Sequence, residues 1–238
     1  MNGAAEATDT EQQGPRPPGS GRTGRGLAGR LIDLTARRPH GWLARKTYGG
    51  AQGAPKGHEE VFDRVLDAIG AVDGQRCLEV GCGGGRLLER VLAAGGRAAG
   101  VDHSPDMLEL SRKRNRGAVE TGALELKLAG AEQLPWPDGS FDVLLSANTF
   151  FFIEQPERTL GEFLRVLSPG GRMVLATVPG PLPTASLRNW WVYVWGSQMH
   201  VYDDERMRAM VEHAGFTGVT VRSAGSEGQP LQLVQARR

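Results

Sequence analysis

The sequence is poor in the residues that build disulfide frameworks, metal sites and membrane spans. Its 238 residues include only two cysteines and five histidines, and no stretch approaches the roughly 18 consecutive apolar residues of a membrane-spanning helix. The N-terminus lacks the apolar core of a secretory signal. Cys77 and Cys82 match no zinc-ligand spacing and no disulfide framework. We therefore expect a cytoplasmic protein with reduced thiols, no metal ion and no membrane association.

The sequence also has almost equal numbers of basic and acidic residues. The chain has 28 basic and 27 acidic residues, which gives a formal net charge of +1. Proteins that bind nucleic acid or anionic membranes carry a larger basic excess, because phosphate contacts supply much of their affinity. The length suits one domain with appendages, and a domain of about 200 residues buries roughly 70% of its unfolded surface without disulfides. These features favour a small molecule over nucleic acid as the partner.

The most informative segment is a glycine-rich turn that follows a short apolar strand. The strand runs from Arg76 to Val80, the turn is Gly81-Cys82-Gly83-Gly84-Gly85, and a helical pattern begins at Arg86. Such a turn brings backbone N–H groups close to a ligand, and glycine permits the approach and positive φ angles. The dinucleotide fingerprint needs another glycine at its sixth position, where Arg86 stands here. The turn therefore predicts a different adenosine-containing cofactor, or a tight turn without a ligand.

An acidic residue ends the next predicted strand. Asp102 follows the apolar segment Arg97–Val101 and lies 21 residues beyond Gly81. In a βαβ unit this spacing places a carboxylate beside the ribose hydroxyls of a bound nucleoside, where it accepts charge-assisted hydrogen bonds from the diol. Ser104 and Pro105 also have the pattern of a helix N-cap. The two interpretations are compatible, with Asp102 on the ribose and Ser104 at the cap.

Four segments in chain order resemble the motifs of class I S-adenosylmethionine (SAM) methyltransferases. They are Glu79-Val80-Gly81-Cys82-Gly83-Gly84-Gly85, then Val101-Asp102-His103-Ser104-Pro105-Asp106-Met107-Leu108, then the loop at 129–142, and then the helix, Pro-Gly-Gly turn and strand at 163–175. The resemblance covers residues 76–178. It implies an α/β fold with a doubly wound, mainly parallel seven-stranded sheet of Rossmann-like type, order 3-2-1-4-5-7-6, with strand seven reversed. It also implies SAM as the cofactor.

The resemblance implies a set of cofactor-binding residues, with His103 and Met107 flanking the adenine. The full set is Glu79, Gly81, Gly83, Asp102, His103, Met107, Ala131, Glu132 and Asn148. The sequence departs from the family at Gly130, where members often carry an aspartate that receives the adenine amino group. Glu132 or a backbone carbonyl would have to replace that acid.

The chain divides into three parts. Residues 1–26 are rich in Gly, Pro, Thr, Gln and charge, which predicts a disordered tail. Residues 27–70 contain two amphipathic patterns, which predict an N-terminal helical lid, and the second pattern lies at 59–69. Residues 71–238 alternate strands and helices, which predicts the sheet domain, with a cap insertion near 180–202.

An acceptor should bind where the loops after strands four and five meet. The predicted acceptor contacts are Tyr48, Phe152, Trp191 and Trp195. The aromatic density near Trp191 fits either an apolar pocket for an aromatic acceptor or the core of a cap helix. For an acceptor that must lose a proton, His200 is the first choice of general base and His58 the second.

The sequence thus predicts an enzyme that transfers a methyl group from SAM to an O, N or C atom of a small apolar or aromatic acceptor, such as a secondary metabolite. An alternative is a cyclase or binding protein that keeps the fold and does not transfer methyl. A nucleic-acid or protein methyltransferase would need a motif such as N/D-P-P-Y/F after strand four, and Asn148-Thr149-Phe150-Phe151 lacks the prolines. An NAD(P) oxidoreductase is opposed by Arg86.

Overall fold

The computed structural model describes residues 58–180, 199–224 and 230–238. The strands are β1 (Arg76–Val80), β2 (Arg97–Asp102), β3 (Leu124–Leu128), β4 (Phe141–Ala147), β5 (Leu167–Thr177), β6 (Thr217–Ser223) and β7 (Gln232–Arg237). The helices in these residues are α1 (His58–Ile69), α2 (Arg86–Ala93), α3 (Pro105–Arg114), α4 (Arg116–Glu120), a 3-10 helix (Phe150–Phe152), α5 (Pro156–Val166) and α6 (Asp204–His213).

All seven strands form a single sheet of order β3-β2-β1-β4-β5-β7-β6. The pairs among β3, β2, β1, β4 and β5 are parallel, whereas β7 is antiparallel to both β5 and β6. The predicted fold class, strand order and reversed strand are therefore confirmed. The strand order reverses between β1 and β4, and in doubly wound sheets ligands bind outside the carboxyl ends of the strands at such a point.

Two apolar clusters cover the two faces of the sheet. Along β1, Leu78 and Val80 belong to one cluster and Cys77 to the other, because successive strand residues point to opposite faces. The first cluster also takes Phe163 of α5, and the second takes Leu88 of α2. Burial on both faces explains why the central strands read as continuous apolar runs in the sequence.

Helix α1, which falls in the predicted lid at 27–70, packs against the sheet. Its amphipathic pattern predicted a helix, which is confirmed at His58–Ile69. Its apolar face buries Phe62, Val65 and Ile69 in the second cluster, and it packs against β4, β5 and β7. The predicted tail at 1–26, the lid at 27–57 and the insertion at 181–198 lie outside the described residues.

The Pro169-Gly170-Gly171 segment, predicted as a turn before strand five, is a bulge inside β5. The register passes from Phe141 opposite Leu167 directly to Val143 opposite Arg172, so β5 carries extra residues at this point. Gly170 has φ +78°, which glycine adopts without a steric penalty. The short helix α4 and the 3-10 helix have no sequence signal, because so few residues cannot show an apolar period.

Candidate cofactor and acceptor site

Three loops meet at the reversal of strand order. The glycine turn follows β1, Asp102 ends β2, and Asn148 and Thr149 follow β4. The Thr149 hydroxyl lies 3.4 Å from the Gly81 carbonyl oxygen and donates to it, which joins the loops after β1 and β4. Asn148 has φ +55°, the single non-glycine residue with positive φ in the described part of the chain. A non-glycine residue in this conformation needs support from its surroundings, here a hydrogen bond from its N–H to Ala176.

Three glycines of the turn, Gly81, Gly83 and Gly85, share a backbone conformation but differ in their surroundings. Each has a positive φ, of +75° at Gly81, +49° at Gly83 and +76° at Gly85. A Cβ at Gly81 would overlap the Thr149 side chain, and one at Gly85 would overlap Ser111 of α3. A Cβ at Gly83 would meet no protein atom within 4 Å. Only at Gly83 does the protein leave open space for a ligand, so the expected close approach of a ligand applies to Gly83 alone.

Asp102 is buried and oriented by the backbone. It is 7% exposed, and its two carboxylate oxygens accept hydrogen bonds from Gly83 N at 2.9 Å and Ser104 N at 2.8 Å. Burial raises the pKa of Asp102, and these backbone hydrogen bonds oppose part of that increase. The His103 N–H also bonds to this carboxylate, and the lone pairs that remain can accept from a ligand diol. The Ser104 hydroxyl accepts from Met107 N at 3.3 Å, which confirms the predicted N-cap.

A second buried carboxylate, Glu79, lies next to Asp102. Glu79 is 3% exposed, and its Oε2 atom has no hydrogen-bond partner among the described residues. Burial raises the pKa of Glu79 well above its ordinary value, the negative charge of Asp102 adds to the increase, and the Leu88 N–H offsets part of it. A buried acceptor without a partner costs about 1–3 kcal/mol, so this arrangement favours a cationic or hydrogen-bonding ligand.

The side chain of Arg86 points away from the glycine turn. Its Nε and Nη2 atoms donate to Glu59 Oε1 of α1 at 2.8 and 2.6 Å. Arg86 was predicted to oppose a dinucleotide as a bulky cation at the turn, whereas in the structure its guanidinium is bound to Glu59. Position 86 still lacks the glycine of the dinucleotide fingerprint, but the Arg86 guanidinium does not block the turn.

The remaining predicted cofactor residues differ in their solvent exposure. His103 is exposed, with Nδ1 at 3.8 Å from Asp102 Oδ1, whereas Met107 is only 2% exposed and belongs to the interior. Ala131 and Glu132 are half-buried after β3. A Cβ at Gly130 would lie 2.9 Å from Glu132 Oε2, so the Glu132 carboxylate occupies the space beside the position of the missing family aspartate.

The acceptor side of the site lies beyond β4 and β5. Phe150 and Phe151 are buried, whereas Phe152 is half-buried and contacts Phe151 edge-on with a centroid distance of 4.5 Å. The exposed His200 donates its backbone N–H to the Phe151 carbonyl at 2.8 Å. The Gly180 N–H donates to the Tyr202 carbonyl at 2.9 Å. Both ends of the predicted cap insertion are thus anchored at the carboxyl edge of the sheet.

The two predicted bases have different surroundings. Burial lowers the pKa of His58, and the charge of Glu59 offsets part of this decrease, so the imidazole is neutral near pH 7 and able to accept a proton. His200 is exposed and is held through its backbone. Tyr48, Trp191 and Trp195 lie outside the described residues, and their proposed acceptor contacts stay predictions.

Other kinds of site are not found in this part of the protein. Within residues 58–180, 199–224 and 230–238, no three His, Cys, Asp or Glu side chains cluster as a metal site requires. A cavity of about 250 Å³ lies at the opposite, amino edge of the sheet, lined in part by Arg76, Arg97 and Trp136. None of the predicted site residues lines it. Among the described helices, none has the length and apolar character to cross a bilayer.

Comparison with protein-family models decides between the interpretations of the glycine turn. A model described as a methyltransferase domain matches residues 78–175, from β1 through β5. The matched region includes the glycine turn, Asp102 and the loop after β4. Its sheet has the class I topology of SAM-dependent methyltransferases, as the resemblance predicted.

Proteins with related sequences include quinone methyltransferases. This chain is 38% identical to demethylmenaquinone methyltransferase of Thermus thermophilus over 142 residues, which are 59% of this chain and 55% of that protein. It is 32% identical to the Renibacterium salmoninarum enzyme of the same name, over 61% of this chain and 54% of that one. The chain thus spans about half the length of these curated relatives.

A solved structure shows the same fold at low sequence identity. Phosphoethanolamine N-methyltransferase 2 of Haemonchus contortus, in complex with SAM, aligns with a TM-score of 0.69 at 16% identity, over 90% of this chain and 60% of that one. The identity is too low to transfer an activity, because one fold supports many reactions.

The residues of the methyltransferase domain fit SAM. The open space at Gly83 admits a ligand close to the backbone, and Asp102 has spare lone pairs beside it. The unpartnered oxygen of Glu79 lies at the same edge of the sheet. Thr149, which the sequence analysis did not single out, holds Gly81 in place, and its only sequence signal is its position after strand four.

Proposed function

We propose that this protein binds SAM at the glycine turn and transfers its methyl group to a small, apolar organic acceptor. The observation that carries the proposal is the open space beside Gly83, which faces the backbone-oriented Asp102 carboxylate within a matched methyltransferase domain. When bound, SAM supplies a methyl group activated by a sulfonium centre. The protein then has to orient the two reactants, which contributes on the order of 7–11 kcal/mol in well-aligned reactions.

Asp102 and Glu79 have distinct proposed roles in holding the cofactor. Asp102 accepts hydrogen bonds from the ribose hydroxyls through the lone pairs that Gly83 N and Ser104 N leave free. Glu79 supplies negative charge for the cationic part of the cofactor, because its Oε2 atom is buried and lacks a partner in the described residues. Gly81 maintains the turn by its contact with Thr149, and His103 provides an exposed ring beside the adenine.

Glu132 is proposed to accept the adenine amino group in place of the missing aspartate. Its carboxylate lies beside Gly130, and its backbone carbonyl accepts from Arg158 Nε at 3.1 Å, which holds the loop. Glu132→Ala should weaken SAM binding by about 10-fold or more, because a hydrogen bond to a charged group contributes about 1.5–3 kcal/mol. Calorimetric titration measures the change.

The exposed neighbour provides the control for that substitution. Gln133→Ala removes a side chain of similar size from the same loop and should leave the affinity unchanged, since Gln133 is exposed. Equal affinities for Glu132→Ala and the wild-type protein would exclude the adenine contact and leave a backbone carbonyl as the replacement.

The acceptor side favours a small apolar molecule. Phe152 offers an aromatic surface at the edge of the sheet where Asn148 and His200 also lie. The names of the sequence relatives, demethylmenaquinone methyltransferases, support an apolar ring system as the acceptor class. Where the acceptor must lose a proton, His58 is neutral and able to receive it, and the exposed His200 is the other choice.

Calorimetry followed by product analysis tests the proposal. The wild-type protein should bind both SAM and S-adenosylhomocysteine, and incubation with SAM and a panel of hydroxylated naphthoquinones, phenols and aromatic amines should yield S-adenosylhomocysteine and a product 14 mass units heavier. Failure to bind either compound would overturn the proposal. Binding of SAM without turnover on any acceptor would instead favour the alternative of a cyclase or binding protein with the same fold.

A further inference from the structure

A continuous series of ion pairs connects helix α1 with the glycine turn. We call it the arginine chain; its members in spatial order are Asp63, Arg90, Glu59, Arg86, Glu89 and Arg114. Arg90 pairs with both Asp63 and Glu59 of α1, and Arg86 joins Glu59 at 2.6 Å to Glu89 at 3.7 Å. The arginine chain ends at the glycine turn. Arg114 lies 3.6 Å from Glu89, and its Nε–H donates a hydrogen bond to the Gly84 carbonyl at 3.0 Å.

Helix α2 depends on such contacts because its own N-terminus carries no capping side chain. Its N-cap is Gly85, with φ +76° and no side-chain hydrogen bond to the first turn. The turn is instead held by α3, through Arg114 on Gly84 and Asn115 Nδ2 on the Gly85 carbonyl at 3.0 Å. On the other side, Arg86, the first residue of α2, is held by Glu59 of α1.

We propose that Glu59 is a positioning residue for the cofactor, which holds Arg86 away from the glycine turn and fixes the start of α2. This inference rests on the proposed function. Glu59 is the residue of α1 that pairs with Arg86, so it couples helix α1 to the cofactor turn. Without it, the Arg86 guanidinium is free to turn toward the buried carboxylates Glu79 and Asp102 and to compete there with a cationic cofactor.

The surroundings of these charges make the coupling effective. The side chains of Arg86, Arg90 and Arg114 are 25%, 26% and 17% exposed, whereas Glu59 is 38% and Glu89 48% exposed, so solvent screens these pairs in part. Burial raises the pKa of Glu59, but hydrogen bonds and charge from Arg86 and Arg90 outweigh it, and the pKa lies below its ordinary value. Glu59 is therefore ionised throughout the pH range of an assay.

The test compares Glu59→Gln with Glu60→Gln. Glu60 is the next residue of α1, and among the described residues it pairs only with Arg64, at 3.5 Å and with both side chains about half exposed, so its loss should change nothing. Glu59→Gln should raise the Kd for SAM about three- to tenfold. It should also speed hydrogen exchange at the amides of Gly83 to Arg86 in the free protein, which a purely stabilising surface pair would not do.

A double-mutant cycle identifies the partner. If Glu59 acts through Arg86, adding Arg86→Gln to Glu59→Gln should cause no further loss, and should restore part of the affinity by removing the freed cation. An unchanged Kd and unchanged exchange in Glu59→Gln would overturn the inference, even if the melting temperature falls. If the wild-type protein fails to bind SAM, the proposed function fails, and the exchange rates at Gly83 to Arg86 still decide whether Glu59 positions the turn.

Discussion

Gly83→Val should abolish SAM binding and leave the protein folded. The new side chain meets no protein atom within 4 Å, so it enters the space that the cofactor backbone needs. Its cost to the fold is the strain of a non-glycine residue at φ +49°, about 1–2 kcal/mol or somewhat more for a β-branched residue. That strain lowers the melting temperature of a protein of this size by roughly 2–8 °C. Calorimetry should show SAM affinity reduced by at least about 100-fold.

Two other glycines provide the controls. Gly74 has φ +67° and also faces open space, but it precedes β1 at the far edge of the sheet. Gly74→Val should therefore lower the melting temperature by a similar amount without changing SAM affinity. Gly81→Val should unfold or strongly destabilise the protein, because its side chain would overlap Thr149. Wild-type affinity in a folded Gly83→Val protein would show that the cofactor does not occupy this space.

Glu79→Gln should stabilise the free protein near neutral pH and greatly weaken SAM binding. The substitution keeps the size of the side chain and removes a carboxyl group that is buried, unpartnered at Oε2 among the described residues, and whose ionisation is opposed by burial and by Asp102. An amide in this place avoids the desolvation of a carboxylate, so we expect a higher melting temperature. It cannot supply the negative charge proposed to balance the cationic cofactor, so we expect the Kd to rise by about 10- to 100-fold.

The sign of the pH dependence follows from the raised pKa of Glu79. The folded state binds this proton more tightly than the unfolded state, so stability is greatest below the unfolded pKa, near 4.3. It falls as the pH rises from there through the folded pKa, and then stays constant. The stability of Glu79→Gln relative to the wild-type protein should therefore increase as the pH rises through this window. Over the same range SAM should bind the wild-type protein more tightly, because the Glu79 carboxyl group ionises. Melting curves and titrations across the window measure both trends.

The pKa of the Asp142 carboxyl group is shifted in the opposite direction to that of Glu79. Hydrogen bonds from Arg76 hold its pKa below the ordinary value, so its contribution to stability is present above the unfolded pKa and is lost as the pH falls through the folded one. Asp142→Asn should therefore destabilise the protein near neutral pH without affecting SAM binding. A Glu79→Gln protein that behaved like Asp142→Asn would contradict the assignment of Glu79 as a strained, ligand-binding carboxylate.

The sequence alone was enough for the architecture. Alternating strand and helix patterns predicted a mainly parallel sheet, and the four motifs predicted its order with β7 reversed. These features are readable because they depend on local properties: apolar periodicity, glycine at positions of positive φ, and caps such as Ser104. The same motifs predicted the methyltransferase domain that the family model matches at residues 78–175.

Only the tertiary structure shows which side chains surround each residue of the glycine turn. Gly81, Gly83 and Gly85 look alike in the sequence, yet Thr149 and Ser111 close the space beside two of them and leave the third open. The Arg86 side chain looked like an obstruction, but its partner Glu59 comes from a helix 27 residues earlier in the chain. The orientation of a side chain depends on the residues that surround it in the fold, and these partners are distant in sequence, so local patterns do not contain this information.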